Sequence, residues 1–225
     1  MRLINTITYE LKEFLDSKVP SYAILSHRWE NEEVMFKEFN GGSSKDKAKQ
    51  GYKKIKKACN QATKDGLEYV WVDTCCIDKS SSAELTESIN SMFRWYQKAN
   101  VCYAYLSDVP GPDAEGDLEH SAWFKRGWTL QELIALEKVK FYDQKWNFVG
   151  FKLDLAEEIA SITGIHKGIL KGQRQPKDIS VAARMSWAAS RETSRVEDLA
   201  YCLLGIFDVS MPLIYGEGER SFRRL

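Results

Sequence analysis

The chain has 225 residues with 44% hydrophobic content, and its 32 basic side chains equal its 32 acidic side chains in number. This balance excludes the overall positive field that draws proteins to nucleic acid. No apolar run approaches the roughly 18 residues of a membrane span, and residues 1–9 lack the basic-then-apolar pattern of a signal peptide, so we expect a cytoplasmic protein.

Predicted strands and helices alternate through the first two thirds of the chain. In chain order they are a strand at 21–26, a helix at 49–66, a strand at 69–73, a helix at 82–100 and strands at 101–108 and 138–143, with 146–150 as a candidate fifth strand. A loop rich in glycine, proline and acids occupies residues 109–120. From about residue 152 onward the patterns are helical only.

This alternation predicts βαβ units, and therefore an α/β fold with a mostly parallel sheet of four or five strands flanked by helices. We predict two parts of one domain. Residues 1–150 form the α/β core, and residues 151–225 form a helical C-terminal extension packed on it.

The cysteines and histidines are not spaced as metal ligands. There is no C-x-x-C motif and no paired histidine, so we predict no metal site. Three of the five cysteines, Cys59, Cys102 and Cys202, lie within apolar patterns, which is typical of reduced, buried thiols in the cytosol.

Polar residues follow each of the first three predicted strands. These clusters are Ser26-His27-Arg28-Trp29, residues 73–78, which begin with Asp73, and Ser107-Asp108. Because open parallel sheets bind ligands at the carboxyl ends of their strands, we expect the three clusters to share one functional edge. Two alternatives remain open: Arg28 pairs with Asp73 or Asp78, and the tryptophans only pack.

Glu132 lies in an apolar stretch, "TLQELIAL" (129–136), and has two interpretations. Thr129 followed three residues later by Glu132 has the spacing of a capping box at a helix start. Alternatively, Glu132 lies in the first turn of the helix after the third strand and faces the functional edge.

The sequences of several segments resemble the fungal heterokaryon-incompatibility (HET) domain. They are "YAILSHRW" (22–29), "YVWVDTCCIDK" (69–79), residues 84–109, "WFKRGWTLQELIAL" (123–136) and the tail at 194–225. The resemblance covers nearly the whole chain. It implies a trigger of regulated cell death in non-self recognition, clustered by the nucleotide-binding oligomerisation module of NLR-like proteins.

HET domains are in turn distantly similar to TIR domains, which have a flavodoxin-like fold. TIR domains that cleave NAD carry a W-C-x-x-E pattern in which the glutamate is catalytic. Here Trp128 precedes Glu132 by four residues, with Thr129 in place of the cysteine. The TIR first-strand motif aligns with Ser26, and His27 departs from it.

The resemblance implies that NAD is the substrate and Glu132 the catalytic residue. One carboxylate suffices, because nicotinamide leaves without protonation through an oxocarbenium-like transition state. We expect Arg28 to hold the pyrophosphate, Trp29 to stack on a ring and Asp73 to contact a ribose hydroxyl. The predicted ligand-binding residues are Ser26, His27, Arg28, Trp29, Asp73 and Trp128. The alternative function is a non-enzymatic adaptor that signals by self-association, since fold alone does not decide function.

Overall fold

The structure is a computed structural model that describes residues 1–111 and 117–225. Its central feature is a seven-stranded sheet in the order β2-β1-β4-β3-β5-β6-β7. The strands are β1 (Arg2–Asn5), β2 (Leu11–Glu13), β3 (Ala23–His27), β4 (Tyr69–Trp71), β5 (Val101–Tyr105), β6 (Val139–Tyr142) and β7 (Phe148–Phe151).

The centre of the sheet is parallel and its outer strands are antiparallel. Strands β4, β3, β5 and β6 pair in parallel, whereas β1, β2 and β7 join antiparallel. The parallel strands therefore follow the spatial order second, first, third, fourth, as in the flavodoxin-like doubly wound sheet. The predicted α/β class is confirmed.

Helices pack on both faces of this sheet. They are α1 (Phe36–Gly41), α2 (Ser44–Ala48), α3 (Gln50–Lys64), α4 (Asp73–Cys76), α5 (Ser82–Lys98), α6 (Asp117–His120), α7 (Ala122–Lys125), α8 (Gly127–Ala135), α9 (Ala156–Thr163), α10 (Lys167–Leu170), α11 (Val181–Ser186), α12 (Asp198–Tyr201), α13 (Leu204–Phe207) and α14 (Arg220–Arg224), with 3₁₀ turns at Asp16–Lys18 and Pro176–Asp178. Because parallel crossovers are right-handed, α3 lies on one face and α5 and α8 on the other.

The two outermost N-terminal strands were not predicted. β1 and β2 contain only four and three residues, and they cover the edge of β4 as an antiparallel pair. Strands this short carry no readable alternation, although Leu3 and Ile4 are fully buried. The predicted loop at 109–120 lies partly outside the described residues, and its last four residues form α6.

One backbone segment of the C-terminal part of the chain pairs with the core. Glu192 N donates to Lys125 O at 2.7 Å, and Gly127 N donates to Glu192 O at 2.8 Å, as in a short parallel bridge. A Cβ at Gly127 would lie 2.6 Å from Thr193 Cγ2, so only glycine allows this close approach. The division at residues 150 and 151 stays a prediction.

All five cysteines are buried and free, including the three in apolar patterns that were expected to be so. Within the described ranges no helix has the length and apolar character needed to span a bilayer, and no group of three or more His, Cys, Asp or Glu residues could hold a metal ion.

Candidate functional site

A cleft of about 330 Å³ lies over the carboxyl ends of β3 and β4. Its lining comes from the loops after these strands, from α5 and α8, and from the C-terminal part of the chain. The lining residues are His27, Trp29, Asp73, Ile77, Lys79, Leu85, Ile89, Met92, Arg126, Trp128, Glu132, Ser194, Arg195, Asp198 and Tyr215. The cleft therefore has charged and aromatic residues on an apolar floor.

Glu132 does not belong to a capping box. Helix α8 begins at Gly127 with Arg126 as its N-cap, and no side chain caps it. The Thr129 hydroxyl instead hydrogen-bonds the carbonyls of Trp123 and Arg126. The helix starts two residues before the threonine, so Glu132 lies in the second turn rather than the first. The capping interpretation is wrong, and so is the first-turn placement.

The Glu132 carboxyl group faces β3 from helix α8 and is only 7% exposed. Ser26 Oγ donates a short hydrogen bond to Glu132 Oε2. The same hydroxyl accepts a hydrogen bond of 2.9 Å from Trp123 Nε1. Because the indole can only donate, it directs the single serine proton toward the glutamate. Trp123 and Ser26 thus fix the carboxylate in place.

Burial raises the pKa of Glu132 to about 8, and repulsion from Asp73 adds to this rise. The hydrogen bond from Ser26 and the charge of Arg126 act in the opposite direction, because both favour the carboxylate. A carboxyl group with a pKa near neutrality changes its charge readily when a charged ligand enters the cleft.

Two side chains contact Asp73 at the mouth of the cleft. Trp29 Nε1 donates to Asp73 Oδ2 at 2.8 Å, and Lys79 Nζ lies 3.6 Å from the same oxygen. Lys79 Nζ also lies 3.6 Å from the centre of the Trp29 ring, as a cation–π contact. One face of the indole is therefore occupied by a cation, and Trp29 as a whole residue remains 39% exposed.

His27 connects the cleft to a second acidic group behind it. Its Nε2 lies 3.8 Å from Asp73 Oδ1 and 3.7 Å from Glu33 Oε2, which is too long for hydrogen bonds. The imidazole is 1% exposed, and neither nitrogen has a hydrogen-bond partner in the described residues. A buried donor without a partner is costly, and a ligand hydroxyl or carbonyl in the cleft would satisfy it.

The opposite wall consists of Trp128 and the C-terminal segment. Trp128 Nε1 donates to Asp198 Oδ2 at 3.3 Å, and Tyr215 OH donates to Asp198 Oδ1 at 3.0 Å. Burial raises the pKa of Asp198, and these two hydrogen bonds oppose the rise. The guanidinium of Arg195 lies 4.4 Å from the centre of the Tyr215 ring. Hydrogen bonds thus link Trp128, Asp198 and Tyr215 into one wall of the cleft.

The structure brings most of the predicted site residues together. His27, Trp29, Asp73, Trp128 and Glu132 line the cleft, and Ser26 lies directly behind Glu132.

Three predicted members of the edge lie elsewhere. Arg28 is exposed and is not part of the cleft lining, and it forms no pair with Asp73 or Asp78. Asp108 instead caps helix α7 by accepting from Ser121 Oγ and Ala122 N. Ser107 lines a separate hollow on the α3 side. The third polar cluster therefore does not contribute to the cleft.

Five charged or aromatic lining residues were not predicted from the sequence. They are Lys79, Arg126, Arg195, Asp198 and Tyr215. Lys79 closes the "CCIDK" segment and Arg126 precedes the W-x-x-x-E pattern, so their position in these motifs was the available signal. The other three belong to the tail, where helical periodicity indicated only packing.

The fold and the cleft define an α/β domain built like the doubly wound proteins that bind ligands at the carboxyl edge of their sheet. Residues 22–116 match the family model of the heterokaryon incompatibility protein (HET). The chain is also 48% identical over 225 aligned residues to the vegetative incompatibility protein HET-E-1 of Podospora anserina, and the match covers 95% of this chain. The chain carries a fungal HET domain, as the resemblance indicated.

The chain spans 16% of the length of that relative. No solved structure matches the chain.

Proposed function

We propose that this HET domain cleaves NAD at the nicotinamide–ribose bond, with Glu132 as the catalytic residue. The observation that carries the proposal is the placement of Glu132. It is a buried carboxyl group at the base of a cleft, held by Ser26 and flanked by aromatic side chains. A buried, perturbed carboxyl group in a cleft is a typical feature of catalytic sites.

The chemistry needs one negative charge near the reacting ribose. The glycosidic C–N bond breaks, its electron pair stays on the nicotinamide nitrogen, and the positive charge moves to the ribose. Glu132 as carboxylate stabilises that oxocarbenium-like centre. Water then adds to the ribose carbon and gives up a proton, so the products are nicotinamide, ADP-ribose and a proton.

The raised pKa of Glu132 fits this order of events. With a pKa of about 8, the free domain holds a mostly neutral carboxyl group at pH 7. The cationic nicotinamide ring of bound NAD favours the carboxylate, because an opposite charge lowers a carboxyl pKa. The substrate therefore promotes the charged state that its own cleavage requires.

The other cleft residues are suited to hold the substrate. Asp73 offers a carboxylate to ribose hydroxyls, and His27 offers its unpaired ring nitrogens. Trp128 and the exposed ring of Trp29 are surfaces on which flat rings stack. The cation on one face of Trp29 withdraws electron density from the ring, so its free face favours the neutral adenine over the cationic nicotinamide.

In the cell, we propose that this activity serves heterokaryon incompatibility, as the name of its relative suggests. Depletion of NAD would kill the fused cell. Clustering through an NLR-like nucleotide-binding module would raise the local concentration of domains without new contacts inside each one.

The test is nicotinamide release from NAD by purified wild-type chain and by Glu132→Gln, at high protein concentration and with forced clustering. Glutamine keeps the size and the acceptor but carries no charge, so we expect a loss of about 100-fold or more. Glu158→Gln, at an exposed carboxylate on α9, is the matched control and should retain full activity. If the wild type releases no nicotinamide even when clustered, the adaptor function replaces this proposal.

A further inference from the structure

The wall of the cleft formed by Trp128 and the C-terminal segment also contains two arginines. Arg126 precedes helix α8, and Arg195 follows the segment that pairs with residues 125–127. Arg126 Nη1 donates to Ser194 Oγ at 2.8 Å, which joins Arg126 to the residue that precedes Arg195. Both line the same cleft as Glu132.

Among the described residues neither guanidinium forms an ion pair, although the charges of both act at longer range on the pKa of Asp198. Within the described residues, the contacts of Arg126 are with the Ser194 hydroxyl and those of Arg195 are with the Tyr215 ring. Asp198, the acid of this wall, gives both of its oxygens to the neutral donors Trp128 and Tyr215. The wall therefore presents guanidinium donors that a carboxylate of the protein does not occupy.

The backbone at both arginines is held by side chains that hydrogen-bond its carbonyl groups. Arg191 is buried, and its Nη1 donates to Arg126 O at 2.8 Å and to Thr129 Oγ1 at 2.9 Å. Thr193 Oγ1 donates to Arg195 O at 2.6 Å. The Tyr215 ring lies against the Arg195 guanidinium and limits the conformations of this otherwise exposed side chain. Preorganised guanidinium groups lose little entropy when they bind an anion.

We propose that Arg126 and Arg195 form the anion-binding end of the cleft and receive the diphosphate of a nucleotide. Guanidinium groups match phosphate oxygens with two parallel hydrogen bonds each. This assignment replaces Arg28, which lies outside the cleft. It deepens the proposed function and rests on it only for the identity of the nucleotide. The acids Asp73 and Glu132 remain to bind the ribose. The cleft therefore binds the anionic part of the ligand and the part that becomes cationic at separate places.

The experiment is calorimetric titration of the wild-type chain with ADP-ribose and with adenosine, which lacks phosphates. Arg126→Met and Arg195→Met should each weaken ADP-ribose binding about ten- to a hundred-fold and leave adenosine binding unchanged. Arg195→Lys keeps the charge but not the fork, so we expect an intermediate loss. Lys125→Met removes a neighbouring exposed charge outside the cleft and should have no effect.

Ser194→Ala separates the loss of the Arg126–Ser194 hydrogen bond from the loss of the arginine charge, and melting curves confirm that each variant folds. The inference is overturned if ADP-ribose does not bind, or if both methionine variants bind it as tightly as the wild type does. An equal loss of adenosine binding also overturns it. Nicotinamide release tests the proposed function separately. Arginine-dependent ADP-ribose binding without cleavage supports this site and contradicts the NAD hydrolase. Cleavage with an unchanged KM in the variants supports the hydrolase and contradicts this site.

Discussion

Ser26 and Glu132 are 106 residues apart in the chain and share a buried hydrogen bond in which the serine hydroxyl donates. This bond joins the end of β3 to the second turn of α8. It also favours the ionised glutamate, since it lowers a pKa that burial raises.

Removing the donor should therefore shift the pH profile. In Ser26→Ala, we expect the pKa of Glu132 to rise above about 8, so kcat/KM reaches its plateau at higher pH than in the wild type. Trp123 Nε1 also loses its acceptor, which costs roughly 1–3 kcal/mol of stability. The pH dependence of nicotinamide release, measured beside a urea titration, checks both. An unshifted profile with lowered stability would limit Ser26 to a structural role.

Glu132 also links stability to pH in a defined direction. Its pKa is about 8 in the folded chain against 4.5 without the fold, so between these values the folded state binds more protons than the unfolded state. The contribution of this group to stability therefore falls as pH rises from about 4.5 to about 8, by at most about 1.4 kcal/mol per pH unit. Glu132→Gln should remove this slope. Urea midpoints at several pH values measure it, and parallel curves for the two proteins would contradict the prediction.

Glu33 should produce the opposite dependence in acid. Burial works against its ionisation, but His27 and Lys54 outweigh burial and lower the pKa of Glu33 to about 2. Its stabilising contribution is complete above about 4.5 and is lost as pH falls toward 2. Glu33→Gln should destabilise the chain at pH 7 and lose less stability on acidification than the wild type. Acid unfolding followed by circular dichroism tests this, with Glu10→Gln at an exposed site as the control.

The close contact at Gly127 predicts a rescue experiment. Gly127→Ala places a Cβ against Thr193 Cγ2 and should destabilise the chain by about 1–3 kcal/mol. Thr193→Ser removes that methyl group but keeps the hydroxyl that bonds Arg195 O, so the double variant should recover most of the loss. Gly41→Ala, with open space at the added Cβ, should not destabilise. Thermal melting measures these differences in stability, and a double variant as unstable as Gly127→Ala would contradict the prediction.

The sequence predicted those features that depend on short-range patterns. The apolar runs predicted the parallel strands, and the polar residues after β3 and β4 predicted one edge of the cleft. The capping box, one of the two interpretations of Glu132, came from the same kind of local rule, and it failed because tertiary contacts start α8 earlier and engage the Thr129 hydroxyl. Arg195 and Tyr215 carry no local signal, because only the docking of the C-terminal segment brings them to Glu132.

The docking of the C-terminal segment determines when the cleft can form during synthesis of the chain. The core strands and Glu132 leave the ribosome well before Ser194, Arg195 and Tyr215, which form the far wall. At roughly 5–20 residues per second, about 80 residues of further translation take on the order of ten seconds. A nascent chain whose core has already folded still lacks the far wall of its cleft, so the complete cleft forms only after almost all of these residues have been made.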